Sequence, residues 1–253
     1  MRTRFFAGVL AGAILLAGTT AHAQDVQTIL NKLTAAYKNA KSYQAQVSII
    51  QTMKLGDQQR KQSTTISTKY KAPNKVATVI QGDQSLQVYS DGKTLCVYSP
   101  KDREYMKMPA PASLAQLGGM GAIGGGAPSE LGAQLQARFG ANAKKLPDRN
   151  VGGKPAFVIQ TSQSGKSPDG KASFQMTATA FIDKATYILR QLVINSTQSQ
   201  GEQKMVQTVT IRFTSQQINP NLPDSVFTFK PPAGAKERQM QGTPPGGTGP
   251  APR

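Results

Sequence analysis

Residues 88–100 read VYSDGKTLCVYSP, two short runs of β-formers joined by Asp91-Gly92-Lys93. An Asp-Gly pair between β-branched and aromatic residues predicts a hairpin, because the turn needs positive φ and glycine adopts it without a Cβ penalty. Folded that way, Val88, Leu95 and Val97 form one apolar surface, and Tyr89, Cys96 and Tyr98 form another of intermediate polarity. The stretch has no catalytic grouping. Pattern alone does not decide on which side of a sheet Cys96 falls.

The same period of two extends in both directions. In SYQAQVSIIQTM (42–53) Tyr43, Ala45, Val47, Ile49 and Met53 alternate with glutamines, Ser48 and Thr52; STTISTKY (63–70), KVATVIQG (75–82) and REYMKM (103–108) continue a meander. Downstream, KPAFVIQTS (154–162), SFQMTATAFID (173–183), TYILRQLVIN (186–195), KMVQTVTIRF (204–213) and a final SVFTFK (225–230) resume it. These runs predict a mainly β (α+β) fold of about ten or eleven antiparallel strands, most with one wet face. Helical spacing occurs at Val26, Ile29, Leu30, Leu33 and Tyr37 behind Asp25, near 129–139, and in the short SLAQL (113–117). Between the two meanders lies GGMGAIGGG (118–126).

The 253 residues begin with Arg2 and Arg4, an apolar run FFAGVLAGAILLAG and the small-residue site Ala21-His22-Ala23. This predicts a cleavable signal peptide over 1–23 and a periplasmic mature chain from Gln24, since the run is short of the ~20 apolar residues a spanning helix needs. One domain is expected over 24–238, with the glycine-rich stretch 118–126 as an insertion, followed by a Pro/Gly-rich, disordered tail at 239–253. Thirty Lys and Arg stand against 13 Asp and Glu, a formal net charge of +17. The cations are scattered rather than gathered in runs with aromatics, which argues against nucleic acid and leaves a solvated basic surface or attraction to anionic lipid or an acidic partner.

One cysteine allows no internal disulfide, and the only histidine, His22, departs with the leader. Imidazole-dependent nucleophilic catalysis and His-containing metal sites are therefore excluded from the mature chain, and no cofactor or metal is expected. Asp102 and Glu104 are spaced to share a strand face, but Lys101, Arg103 and Lys107 surround them, which reads as a salt-bridged hairpin end rather than a catalytic pair. The chain is not read as an enzyme.

A long meander with a consistent apolar face must cover that face, at roughly 25 cal/mol per Å² otherwise exposed. The helical segments are too few and short to fill a wide concave sheet, so part of the face becomes a hydrophobic pocket. The residues expected to line it are Tyr43, Val47, Ile49, Met53, Ile66, Val88, Leu95, Val97, Phe174, Met176, Leu192, Ile194, Val209 and Ile211, each of which is also a candidate for ordinary core packing. Met120 and Ile123, on the glycine-rich loop, are candidate lid residues.

The order of the helix ending in KSYQA, then KAPNKV, VYSDGKTLCVYSP with REYMKM, VGGKPAFVI, AFIDKATYILRQLVI and LPDSVFTFKPPAGAK resembles the periplasmic outer-membrane lipoprotein carrier (LolA-like) superfamily from about Asp25 to Lys236. Cys96 stands where such sequences often place a tryptophan. The resemblance implies an open half-barrel whose apolar concavity is covered by helices. It also implies a carrier of acylated lipoproteins or lipids to the outer membrane, with transient contact with inner- and outer-membrane transfer machinery; a monomer is expected. The alternative within the same resemblance is a lipid- or lipoprotein-sensing module that binds a partner protein without transporting cargo.

Overall fold

The computed structural model describes residues 25–114, 127–140, 142–167, 169–201 and 203–238. The predicted signal peptide, the candidate lid residues Met120 and Ile123, most of SLAQL and the tail from 239 lie outside them.

Two α-helices, twelve strands and a short 3-10 turn are the elements of the described residues. Helix α1 (Val26–Lys38) buries Ile29, Leu30, Leu33 and Tyr37, a single stripe at helical spacing, and follows Asp25 at its N-cap, where a negative charge is favoured although no side-chain capping bond forms. Helix α2 (Pro128–Phe139) opens with proline at its first turn, where no N–H is needed, and buries Gly132, Leu135 and Phe139. The two helices meet at Gly132: a Cβ there would come within 3.3 Å of the Thr34 Cα, so the glycine permits the close approach.

The strands are β1 (Ser42–Leu55), β2 (Gln58–Lys71), β3 (Lys75–Gln81), β4 (Leu86–Ser90), β5 (Thr94–Ser99), β6 (Glu104–Pro109), β7 (Lys144–Val151), β8 (Lys154–Lys166), β9 (Ala172–Asp183), β10 (Leu189–Gln200), β11 (Gln203–Ile218) and β12 (Lys236–Glu237). They form one open sheet in the order β12-β6-β5-β4-β3-β2-β1-β11-β10-β9-β8-β7. Each meander is built from hairpins, and the pairing of β1 with β11 joins the two halves. Every neighbour is antiparallel except β12, which runs parallel to β6.

The 88–100 hairpin forms as its sequence dictates. Val88 pairs with Val97 and Tyr89 with Cys96, across a turn in which Gly92 has φ 95° and the Asp91 carboxylate accepts the Lys93 and Thr94 N–H groups. Register then sorts the faces. Tyr43, Tyr70, Val76, Ser90, Leu95 and Met108 are paired in one row across six strands, and the helices cover that side. Cys96, Tyr89 and Tyr98 lie on the opposite, outward face.

That outward face is not wholly wet. The expected last strand, SVFTFK, is instead a 3-10 turn (Asp224–Phe227) followed by irregular chain. It crosses the outside of β3–β6 rather than joining an edge, held there by its aromatic side chains and flanked by Pro220 and Pro223 on one side and Pro231 and Pro232 on the other. Phe227 is fully buried against Ala77 and Leu222. Phe229 sits among the rings of Tyr89, Tyr98 and Tyr105 at centroid distances of 5.6, 5.7 and 5.3 Å. Lys71 and Lys75 grip Asp224 at 2.8 and 2.7 Å, and Lys107 grips Glu237 at 2.8 Å.

Strand β7 has no counterpart among the expected strands. KKLPDRNV has no apolar alternation and contains Pro147, yet it is the outermost strand, where proline and charge discourage further pairing. At the other edge β12 covers part of β6.

Candidate functional site

All fourteen residues expected to line a pocket fall on the helix-covered face. The ladders carry the alternation across the seam: Val47 pairs with Ile66 and Phe213, Ile49 with Ile211, Ile211 with Leu192, and Val209 with Ile194. The depth of burial divides them. Tyr43, Val47, Ile66, Val88 and Leu95 are buried in the core beneath the helices, and there they act as packing. Ile49, Val97, Ile194 and Val209 are half-buried against that core. Met53 is half-buried and Phe174 exposed, both further along the face.

An open cavity of about 550 Å³ lies between α2 and the β8–β11 half of the sheet. Met176, Leu192, Ile194 and Ile211 from the expected set line it, together with Leu189 and Phe213. Leu131, Leu135 and Ala137 form its helical wall, and Gln134, Arg138 and Gln163 are its polar groups. Sequence reasoning missed the helical wall because Leu131 and Leu135 at i, i+4 are the ordinary signal of a packed helix face. Among the described residues Arg138 has no carboxylate partner, so an unpaired cation stands beside a mainly apolar space.

Across the seam the face becomes polar. Arg60, Gln62, Thr64, Lys101 and Asp102 stand around a basin of about 860 Å³ whose apolar lining is Ile49, Ile80 and Leu86. Ile49 and Ile211 pair directly, so the apolar cavity and the polar basin adjoin.

Leu189, in the cavity wall, belongs to a largely buried hydrogen-bond cluster that reaches α1. Tyr37 and Tyr43 both donate to Oε1 of Gln216, each at 2.9 Å; the Leu189 N–H donates to the Tyr37 oxygen at 3.0 Å, and Nε2 of Gln216 donates to the Leu189 carbonyl. Burial pushes both phenols far above their ordinary range, so they remain neutral donors. The β1–β11 ladder shifts register between Gln46 and Val47, and the β9–β10 ladder between Leu189 and Gln191, next to this cluster. Such bulges bend strands and increase twist.

Asp102 accepts from Ser99 at 2.6 Å, and Glu104 lies 3.5 Å from Arg238. Among the described residues no cluster of three or more His, Cys, Asp or Glu is placed to hold a metal. Cys96 is buried under the C-terminal segment, where burial raises its thiol pKa.

A family model described as "Predicted periplasmic protein (DUF2092)" matches residues 26–117 and 143–240. No curated protein matches the sequence. Solved structures similar to this chain include LprF from Mycobacterium bovis, at 12% identity and TM-score 0.45, covering 78% of this chain and 95% of that one. A LolA superfamily protein from Nitrosomonas europaea matches at 12% identity and TM-score 0.29, covering 80% and 97%. The Pseudomonas aeruginosa MucA/MucB complex matches at 14% identity and TM-score 0.39, covering 81% of this chain and 60% of that one.

Proposed function

Because the chain belongs to this family of predicted periplasmic proteins, we propose that it binds the acyl chain of a lipid or lipoprotein in the cavity under α2 and carries it in soluble form toward the outer membrane. The observation that supports this reading is the cavity itself. Its volume of about 550 Å³ falls within the ~300–1,000 Å³ of small-ligand pockets, and its walls are aliphatic and aromatic with a few polar groups on one side. Each methylene moved from water to such a wall gains ~0.8 kcal/mol, so a long chain supplies enough affinity without any catalytic group. Arg138 and Gln134 are placed to meet the polar end of an amphiphile. The adjoining polar basin accepts a headgroup or the start of a protein chain.

A carrier must also release what it holds. The open sheet and the cavity's open side favour exchange over permanent enclosure. The direct test is mass spectrometry of lipids that co-purify with the mature protein, followed by transfer of an acylated reporter from donor to acceptor vesicles. Transfer above the protein-free rate supports the carrier reading. Binding without transfer assigns the protein to lipid sensing, and no binding of acylated ligands overturns the reading altogether.

A further inference from the structure

Strands β1, β2 and β8–β11 are long, and three of their hairpin turns, at Gly56-Asp57, 167–171 and around Gly201, share one end of the sheet. Strand β2 is paired with β3 only from Thr65 onward, so this end projects past the shorter strands β3–β6. The last inward row to span all four of β1, β11, β10 and β9 runs Leu55, Met205, Gln198, Phe174, with Gln203, Gln200 and Ala172 one step nearer the tips. Leu55 is 48% exposed and Phe174 is 47% exposed, two of the three large hydrophobic side chains exposed among the described residues. The Phe174 ring lies over Gly165, where a Cβ would come within 2.5 Å of its Cε1. The backbone thus leaves room for an aromatic ring that water still reaches. A groove of about 610 Å³ runs between these hairpin tips. Apolar groups gathered at projecting tips are costly in water unless something covers them.

The charge around the rim indicates what that is. In the sequence Lys54, Arg60, Lys61, Lys166, Lys171 and Lys204 flank the three turns, against Asp57, Asp169 and, outside the described residues, Glu202. None of the six cations makes an ion pair among the described residues, while the Asp169 carboxylate already accepts from Ser167 and the Lys171 N–H. A second copy of the same rim would bring these cations against each other. An anionic bilayer instead neutralises them and offers an acyl boundary to the tips. We infer that this rim docks the protein on the surface of an anionic membrane, with Leu55 and Phe174 entering the headgroup boundary inside a fringe of lysines. Docked so, Met176, next along β9 on the inward face, leads from Phe174 to the cavity under α2. The docking stands whatever the cavity holds.

The test is sedimentation of the mature chain with vesicles of phosphatidylglycerol and phosphatidylcholine in equal parts, and with phosphatidylcholine alone. Binding to the anionic vesicles is expected, with loss at high salt. The Leu55→Ser/Phe174→Ser variant is expected to bind about tenfold more weakly or worse. Ile50→Ser, at an exposed position on the outward face, is expected to bind as the parent does. Thermal melts by circular dichroism confirm folding, and Lys54→Glu/Lys204→Glu provides a second test independent of the apolar pair. Equal binding to both vesicle types, an unaffected Leu55→Ser/Phe174→Ser variant, equal loss in Ile50→Ser, or a soluble dimer abolished by the double substitution would each overturn the proposal.

Discussion

The hydroxyl of Tyr37, on the opening helix, donates at 2.9 Å to Oε1 of Gln216, near the end of the longest strand and 179 residues away. The same Tyr37 oxygen accepts the Leu189 N–H. One phenol thus ties α1, β10 and β11 together next to two breaks in strand register. Neither residue stands out in the sequence: Tyr37 reads as one more apolar position of a helix, and Gln216 as one of many strand glutamines.

The two tyrosines of this cluster should differ when shortened. Tyr37→Phe leaves the buried Leu189 N–H without its acceptor and is expected to cost about 1–3 kcal/mol. Tyr43→Phe removes one donor from an oxygen that Tyr37 still satisfies, and is expected to cost about 1 kcal/mol. Urea unfolding of the two variants measures the order.

Acid should act through Asp183. Burial alone would raise its carboxyl, but Arg190 at 2.6 Å, the Thr186 N–H and hydroxyl and the Ala185 N–H outweigh it and hold the pKa at about 2. The folded value lies below the unfolded one, so the stabilisation is present above about pH 4 and is lost as pH falls toward 2, a change of about 2 kcal/mol. Asp183→Asn should lower stability at neutral pH and flatten the slope of stability against pH in that window. Chemical denaturation across the acid range checks both.

Much of the fold was legible because a buried face imposes a period of two that a one-residue slip would invert. The hairpin at 88–100 and the long strands follow from that constraint alone. Strand β7 was not legible, because an edge strand is built from the proline and charges that mark loops elsewhere. The C-terminal segment misled for a different reason. Val226, Phe227 and Phe229 include an i, i+2 aromatic pair that does face the sheet, but as a strap across it rather than as a strand within it. In the site, alternation gave the inward face and could not tell a packed residue such as Val47 from a cavity residue such as Ile194. That difference depends on where α2 lies.

The strap can be tested through the only thiol. Phe227→Ala removes a fully buried ring and is expected to cost about 3–5 kcal/mol if the segment stays docked, less if it detaches. In either case Cys96, buried beneath it, should react faster with a thiol reagent. The rate under native conditions, compared with Tyr43→Phe as a variant destabilised elsewhere, separates local opening from global unfolding.

The cavity admits a sharper test than charge insertion. Val47 is fully buried in the core, so Val47→Glu should prevent folding and say nothing about ligand. Ile194 and Asn195 are neighbours on opposite faces of β10, the first lining the cavity and the second exposed. The chain contains no tryptophan, so Ile194→Trp and Asn195→Trp each install a single indole reporter. In Ile194→Trp the indole occupies space a ligand would use; displacing about two methylenes at ~0.8 kcal/mol each weakens binding of a long-chain fatty acid about tenfold. Its emission should be blue-shifted before ligand is added and should change on addition. Asn195→Trp should emit as a solvated indole, ignore the ligand and leave affinity as in the parent. Equal affinity in the two folded variants would mean that an acyl chain, if bound, sits elsewhere on the sheet, and the polar basin around Arg60 and Lys101 would become the place to look.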